Sequence, residues 1–321
     1  FNLKYKINGE NPYKCVVKAF EEAGFEMTEE NDWNCVWSLP KKDRVKFMNQ
    51  FQKQNHFPGC WNLGRKDFMW RCLNRVKRKC PKEMDFVPNT YLLCNDWDRF
   101  LARRDEASKT LWILKPADQA CGRGVKVISK TTKVKRKSNR IICDYIANPH
   151  LINGLKYDLR LYVLVTSYDP LRIYLYEEGL TRFATEKYNT NTISKRFVHL
   201  TNYSVNKHAK KFVKNTNGSK WSLTALKAKY KQMGINVDEL FGRIKDIIIK
   251  TCISAEPQML DIVAKNCFEL YGFDILIDSS LKPWILEVNV CPSLSSSSPL
   301  DRKIKHSLLV DVLNIIGITP Y

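Results

Sequence analysis

Thirty residues near the middle of the chain constrain its fold more than any other stretch. Residues 156–185 read KYDLRLYVLVTSYDPLRIYLYEEGLTRFAT, two long alternating runs around a Tyr168-Asp169-Pro170 turn. β-Branched and aromatic residues at a period of two specify strands, and the Asp-Pro corner specifies a reversal. Leu159, Leu161, Val163 and Val165 fall on one face, with Asp158, Arg160 and Tyr162 on the other. Charges inside so apolar a ladder either keep a sheet edge soluble or line a cleft. Lys156, just before them, favours the cleft.

A second strand pair is legible in residues 271–292, YGFDILIDSSLKPWILEVNVCP. Two apolar runs flank the polar Ser279-Ser280-Leu281-Lys282, which reads as a β-hairpin. A turn centred on Ser280 and Leu281 sets Asp274 opposite Glu287, with Asn289 on the same face. Phe273, Ile275 and Ile277 then meet Trp284, Leu286 and Val288 in a core layer. Two carboxylates and an amide carbonyl are hard oxygen donors, as Mg²⁺ takes when it also holds nucleotide phosphates. An ordinary hairpin with a solvated acidic face would show the same spacing.

At 321 residues, 44% hydrophobic and 27% charged, the chain suits a globular protein of two or three modules. Its apolar runs fall short of a membrane span. The eleven cysteines are scattered and form no CxxC pair, which favours reduced thiols in the cytosol over disulfides or a zinc site. Charge is the strongest compositional signal, with 53 Lys+Arg against 33 Asp+Glu and a net +20. Residues 187–237 contain no acid and eleven basic residues, and residues 71–82 and 126–140 are further basic runs. Such fields attract polyanions: nucleic acid, an acidic membrane or an acidic protein tail. No nucleic-acid-binding motif accompanies them.

Other segments fill in a mixed α/β (α+β) plan. Asn11 and Pro12 open a helix ending near Gly24, and residues 32–39 read as a strand. Residues 41–54 and 65–79 read as helices, the second burying Phe68, Met69, Cys72 and Val76. The strand at 110–115, the loop ADQACGRGV and the strand VKVIS form a hairpin whose backbone N–H groups can close over phosphates. Gly122-Arg123-Gly124 alone is a tight turn, but Lys115 and Arg123 add positive charge at its mouth. Residues 140–146 read as a strand able to meet an adenine ring. Residues 199–204 form a polar cluster; 222–233 and 237–253 read as helices, and a closing helix starts at Asp301.

Several phrases together resemble the tubulin–tyrosine-ligase-like family: NHFPG (55–59), RKD (65–67), WILKP (112–116), residues 154–185, HLTNYSVNK (199–207) and residues 269–294. The similarity spans essentially the whole chain, and the 158–185 block is closer to the glutamate-adding branch than to the glycine-adding one. The resemblance implies an ATP-grasp fold divided at 1–88, 89–153 and 154–321: a small N-terminal α/β domain, with ATP held between central and C-terminal sheets. It implies an ATP- and Mg²⁺-dependent ligase that joins free L-glutamate to glutamate side chains in tubulin C-terminal tails. Tubulin glycine ligase and a non-catalytic microtubule-binding protein are the alternatives. It also implies a monomer of the cytoplasmic cytoskeleton, at microtubules, cilium, basal body or centriole, with neither nucleic acid nor membrane as partner.

Carried over position by position, the resemblance gives ATP contacts to Lys115, Arg123, Gly124, Lys156 and Asp158. It places Cys143, Asp144, Tyr145 and Ile146 at the adenine hinge, and Thr201 and Asn202 near the phosphates. Asp274, Glu287 and Asn289 match magnesium ligands, as the hairpin spacing also indicates. Arg182 matches the holder of the incoming α-carboxylate, and Tyr203, Ser204, Lys220 and Lys305 match further amino-acid contacts. Arg160 matches a catalytic-cleft arginine. Two departures stand out: an acid at Asp144, where relatives carry a basic or amide residue facing the acceptor, and an apolar Val290 after Glu-Val-Asn, which favours branch initiation over elongation.

Overall fold

The computed structural model describes residues 2–9, 13–40, 48–106, 110–119, 122–136, 139–209, 220–259, 266–296 and 298–319. An N-terminal parallel sheet contains β1 (Lys4–Asn8), β2 (Glu26–Met27), β3 (Cys35–Ser38) and β4 (Lys53–Gln54) in the order β2-β1-β3-β4. The helix α1 (Lys14–Glu22) buries Cys15, Val16, Ala19 and Phe20, and Gly24 beyond its end adopts φ +79°. The expected cap at Asn11 and Pro12 lies outside the described residues. So does most of the expected helix over 41–54. Residues 48–52 are not helical, and residues 53–54 are β4 instead.

The helices α2 (Trp61–Gly64) and α3 (Lys66–Lys79) complete this part. α3 buries Trp70 and Leu73 beside Met69 and Cys72. Phe68 and Val76 are only half-buried, Phe68 under the Arg65 guanidinium, which lies 4.6 Å from its ring centre. The second sheet runs β5-β8-β6-β7, all antiparallel. It contains β5 (Thr90–Leu92), β6 (Trp112–Pro116), β7 (Lys126–Ile128) and β8 (Arg140–Asp144), with α4 (Trp97–Glu106) packed beside it through Phe100.

The third sheet is the frame. β9 (Leu151–Ile152) pairs with β10 (Leu155–Tyr168), which is central between β11 (Leu171–Phe183) and β13 (Glu269–Ile277). β12 (Lys220–Ser222) and β14 (Pro283–Asn289) are the outer strands. β10 therefore has no free edge, and its charged residues face a cleft. Leu159, Leu161, Val163 and Val165 enter a core under α7 (Leu223–Gln232) and α8 (Val237–Ala255), whereas Tyr162 and Leu164 join the core beneath α1 and α9 (Pro299–Ile315). Side-chain caps begin α8 at Asn236 and α9 at Ser298, the latter followed by Pro299 at the first helical position. The short helices α5 (Arg196–His199) and α6 (Tyr203–Asn206) lie in the acid-free segment.

The β13–β14 hairpin differs from its sequence reading in an instructive way. Asp278 N–H donates to the Lys282 carbonyl at 3.0 Å, so the loop holds three residues, with Leu281 at φ +62°. Ile277 then faces Pro283 and Ile275 faces Ile285, one position off the two-residue-turn register. Leu286 is an extra residue, a bulge, and beyond it Asp274 again faces Glu287. Turn and bulge cancel for the carboxylates. They do not cancel for the core layer: Ile285 and Val288 are buried, while Trp284 and Leu286 are only half-buried. The Trp284 indole N–H instead donates to Asp278 at 2.8 Å.

Candidate active site

Size does not locate the chemistry. A groove of about 880 Å³ between β11, α8 and α9 is lined mainly by Leu, Ile, Tyr and Val. A smaller cavity between the second and third sheets collects many of the residues singled out from sequence, Lys115, Lys156, Asp158, Thr201, Asp274 and Glu287 among them. Its one wall is β6 with the end of β8, and its other wall is β10 with the β13–β14 hairpin.

On the first wall, Lys115 extends from β6 and its Nζ donates to the carbonyl of Leu286 at 3.3 Å. The bulge thus gives the two sheets a direct contact. The β6–β7 hairpin closes over the cavity through a loop in which Gly122 and Gly124 both have φ +69°. A Cβ on Gly122 would lie 2.8 Å from Asn202 Oδ1, so only glycine allows this approach. Arg196 Nη2 donates to the Gly122 carbonyl at 3.1 Å and ties the loop down. Arg123 and Gly124 are exposed and outside the cavity wall, so the charge expected from Arg123 stands at the rim.

Cys143, Asp144, Tyr145 and Ile146 all border the cavity, where a flat ring would meet the end of β8. The Cys143 side chain is part of the core. Asp144 takes a hydrogen bond from Asn89 Nδ2 at 2.9 Å, and its Oδ1 has no partner among the described residues. The Tyr145 hydroxyl bonds to His199 Nδ1 at 2.9 Å and accepts from Lys156 Nζ at 3.1 Å. That ammonium also sits 4.5 Å from the centre of the Tyr145 ring. Burial pulls the Lys156 ammonium down to about 7, with Lys115 adding to the effect and Asp158 opposing it.

At the second wall, strand register sets a ladder of opposite charges, of which Asp158 and Asp274 line the cavity while Arg160 and Arg182 stand behind them, outside its lining. Asp158 faces Arg182 and Arg160 faces Asp274 across adjacent strands. Asp158 accepts from Arg182 Nε at 2.7 Å and Nη2 at 2.5 Å, and from Thr201 Oγ1 at 2.7 Å. Asp274 accepts from Arg160 Nε at 2.6 Å and lies 2.7 Å from Arg182 Nη2. Burial opposes charge on Asp274, but Arg160 and Arg182 outweigh it and hold the carboxyl well below the usual carboxylate range. Glu287 is 3.0 Å from Lys66 Nζ.

Not every expected residue reaches the cavity. Asn289 Nδ2 donates to the Gly272 carbonyl at 3.1 Å, and the residue is outside the cavity wall. Val290 is buried under α2, so close that a Cβ on Gly64 would lie 2.3 Å from its Cγ2. Lys220 and Lys305 gather around Asp301, beside Tyr203. Lys66 and His199 line the cavity too, although sequence motifs alone assign them no role; they belong to the phrases RKD and HLTNYSVNK. Lys66 joins α3 to the glycine loop through the Gln119 carbonyl at 2.9 Å as well as to Glu287. Only the fold reveals that bridge.

Another gathering escaped the sequence, where the histidines looked separate. His56, Cys60 and Glu269 converge, all buried. His56 Nδ1 is 2.7 Å from Glu269, and Nε2 is 2.7 Å from the Ser38 carbonyl. Burial works against the imidazolium, but Glu269 outweighs it and pushes His56 up to about 12. With both ring nitrogens donating, the group is a closed ion pair. Every cysteine among the described residues is a free thiol.

Comparison with known proteins gives this geometry a family. The model of the tubulin-tyrosine ligase family matches residues 45–320. The chain is 40% identical over 331 residues to tubulin monoglutamylase TTLL4 of Mus musculus, covering 98% of this chain and 28% of that protein. It is 42% identical over 325 residues to tubulin polyglutamylase TTLL13 of Mus musculus, covering 95% and 40%. Against tubulin polyglutamylase TTLL5 of Homo sapiens it is 42% identical over 303 residues, covering 89% and 24%. The chain therefore spans well under half the length of these relatives. It belongs to the tubulin-tyrosine ligase family, and its facing sheets are those of an ATP-grasp fold.

Proposed function

We propose that the protein is an ATP- and magnesium-dependent ligase. It joins free L-glutamate through an isopeptide bond to glutamate side chains of tubulin C-terminal tails, with a bias toward starting branches. One observation carries the reading: Asp274 and Glu287 face each other on one wall of a cavity whose opposite wall presents Lys115. The three-part division at 88 and 153 belongs to the same proposal, as do a monomeric state and a place on cytoplasmic microtubules, including those of cilia and centrioles.

The donor set fits the metal. Two carboxylates opposed in register, each balanced by lysine or arginine side chains, are hard donors that a divalent cation can share. Magnesium, when bound, would neutralise phosphate charge during phosphoryl transfer. Lys115, Lys156 and the backbone of the glycine loop would hold the phosphates, and the end of β8 would hold the adenine. The acceptor carboxylate takes the terminal phosphoryl group as ADP leaves, giving an acyl-phosphate. The amine of glutamate then attacks its carbonyl carbon, phosphate departs and the amine loses a proton. Arg160 would stabilise the oxyanion of that step, and Arg182 would hold the α-carboxylate of the incoming amino acid.

The test is incubation with microtubules, Mg-ATP and labelled glutamate, glycine or tyrosine in separate reactions, with the product mapped by mass spectrometry. Glutamate on a tail γ-carboxyl supports the reading, and its position separates initiation from elongation. Glycine in its place would overturn the choice of amino acid. ATP binding without any incorporation would overturn tubulin as acceptor.

A further inference from the structure

α9 begins Ser298-Pro299-Leu300-Asp301, and an acid in the first turn of a helix ordinarily needs no explanation beyond the helix dipole. Asp301 has surroundings that the dipole does not require. It is fully buried, 2.8 Å from Lys220 Nζ and 3.5 Å from Lys305 Nζ. The two lysines come from different elements, β12 and α9. Lys220 also lies 4.2 Å over the ring of Tyr203, and Lys305 Nζ donates to the Ser295 carbonyl at 2.5 Å. Burial lowers the Lys305 ammonium and Asp301 counters it, so this carboxylate supports the charge there.

Strand register connects the cluster to the reaction site. Lys220 faces Arg182 across β11 and β12, and Arg182 faces Asp158 across β10 and β11. Side chains paired in this way share a face. Two cationic poles therefore stand side by side, Arg182 and the lysine pair. An amino acid with two carboxylates can satisfy both, whereas glycine reaches only one.

Resting on the ligase reading above, we infer that Asp301 is a positioning residue. It fixes Lys220 and Lys305 as a paired reader of the side-chain carboxylate and so sets the preference for glutamate over glycine.

The experiment measures KM for glutamate, glycine and ATP with tubulin as acceptor, and glutamate binding by calorimetry, for wild type, Asp301→Asn and Asp301→Glu. Asp301→Asn raises KM for glutamate about tenfold, the loss of one charge-assisted hydrogen bond. It leaves KM for ATP within about twofold and narrows the glutamate-to-glycine ratio. Asp301→Glu keeps the charge but moves it by one methylene, and, with its folding checked by thermal denaturation, it gives the same selective change at smaller size. Equal rises for glutamate and ATP, or an unchanged glutamate-to-glycine ratio in either folded variant, would overturn the assignment. Calorimetry separates this inference from the reading beneath it. A wild type that binds glutamate without transferring it sinks the ligase reading, and loss of binding in Asp301→Asn still supports the positioning role. A wild type that binds no glutamate sinks both.

Discussion

Glu269 and Asp274 lie on the same strand, both buried and both ion-paired, yet they face opposite sides of the sheet. Glu269 meets one charged partner, His56, and its second oxygen takes the Phe57 backbone N–H at 3.1 Å. His56 in turn is satisfied by the Ser38 carbonyl. Everything there has a partner and nothing opens to the cavity. Asp274 is shared between two arginines, borders the cavity and faces a second carboxylate across the hairpin. Burial and pairing are common to both, so neither marks chemistry. The difference lies in shared partners and in access.

Substitution on the two faces should separate them. Glu287→Gln, on the cavity side, is expected to reduce turnover by more than about a thousandfold by weakening the proposed metal site. Its melting temperature should stay near wild type, because Glu287 is partly exposed. Glu269→Gln should do the reverse: it leaves a buried imidazolium without its counter-charge and costs about 3 kcal/mol of stability. Its kcat per folded molecule should remain near wild type. Chemical denaturation together with active-site-normalised rates reads both. A Glu269→Gln protein of full stability and no activity would remove the distinction.

The cations repeat the contrast. Glu269 holds His56 protonated, whereas burial in the cavity lowers Lys156 to about 7. An unfolded lysine titrates near 10.4. Below pH 7 both states of Lys156 are protonated and the burial penalty is fully present. Between about 7 and 10.4 the unfolded chain binds more protons, so stability climbs with pH. The climb attributable to Lys156 is roughly 2 kcal/mol between pH 7 and 9. Unfolding curves for wild type and Lys156→Met should diverge over that window, with wild type gaining on the variant as pH rises. Parallel curves would show that Lys156 keeps an ordinary ammonium.

How far the sequence carries depends on the range of the interaction. Period-two alternation suffices for β10 and β11 because adjacent residues decide it. The Asp274–Glu287 pairing was also legible, although through a turn one residue too short and a bulge that no local pattern revealed. Leu286 illustrates the cost: alternation predicts it in the core, but as the bulged residue it lies at the cavity, where its carbonyl meets Lys115. Lys66, His56 and Asp301 were beyond reach for a different reason. Their partners, Glu287, Glu269 and Lys220, are separated from them by scores of residues or more, and only the packing of separate sheets brings them together.

The same limit applies to the basic run at residues 71–82, whose charges look equivalent in sequence. Arg75 Nη2 donates to the Ser254 carbonyl at 2.8 Å and to Gln258 at 3.2 Å, which ties α3 to the end of α8. Lys77 Nζ donates to the Val87 carbonyl at 2.5 Å, and burial lowers its ammonium. Both are fastenings within the fold. Arg71, Arg78 and Lys79 are exposed and, under the proposed function, are the charges available to an acidic tail. Reversing Arg71 and Arg78 to Glu should raise KM for tubulin roughly three- to tenfold at low salt, with the effect shrinking as salt screens it and ATP affinity unchanged. Arg75→Glu and Lys77→Glu should instead lower the melting temperature. An equal rise in KM from all four single reversals, with no loss of stability, would show that the run acts as one field and that its fastenings carry no weight of their own.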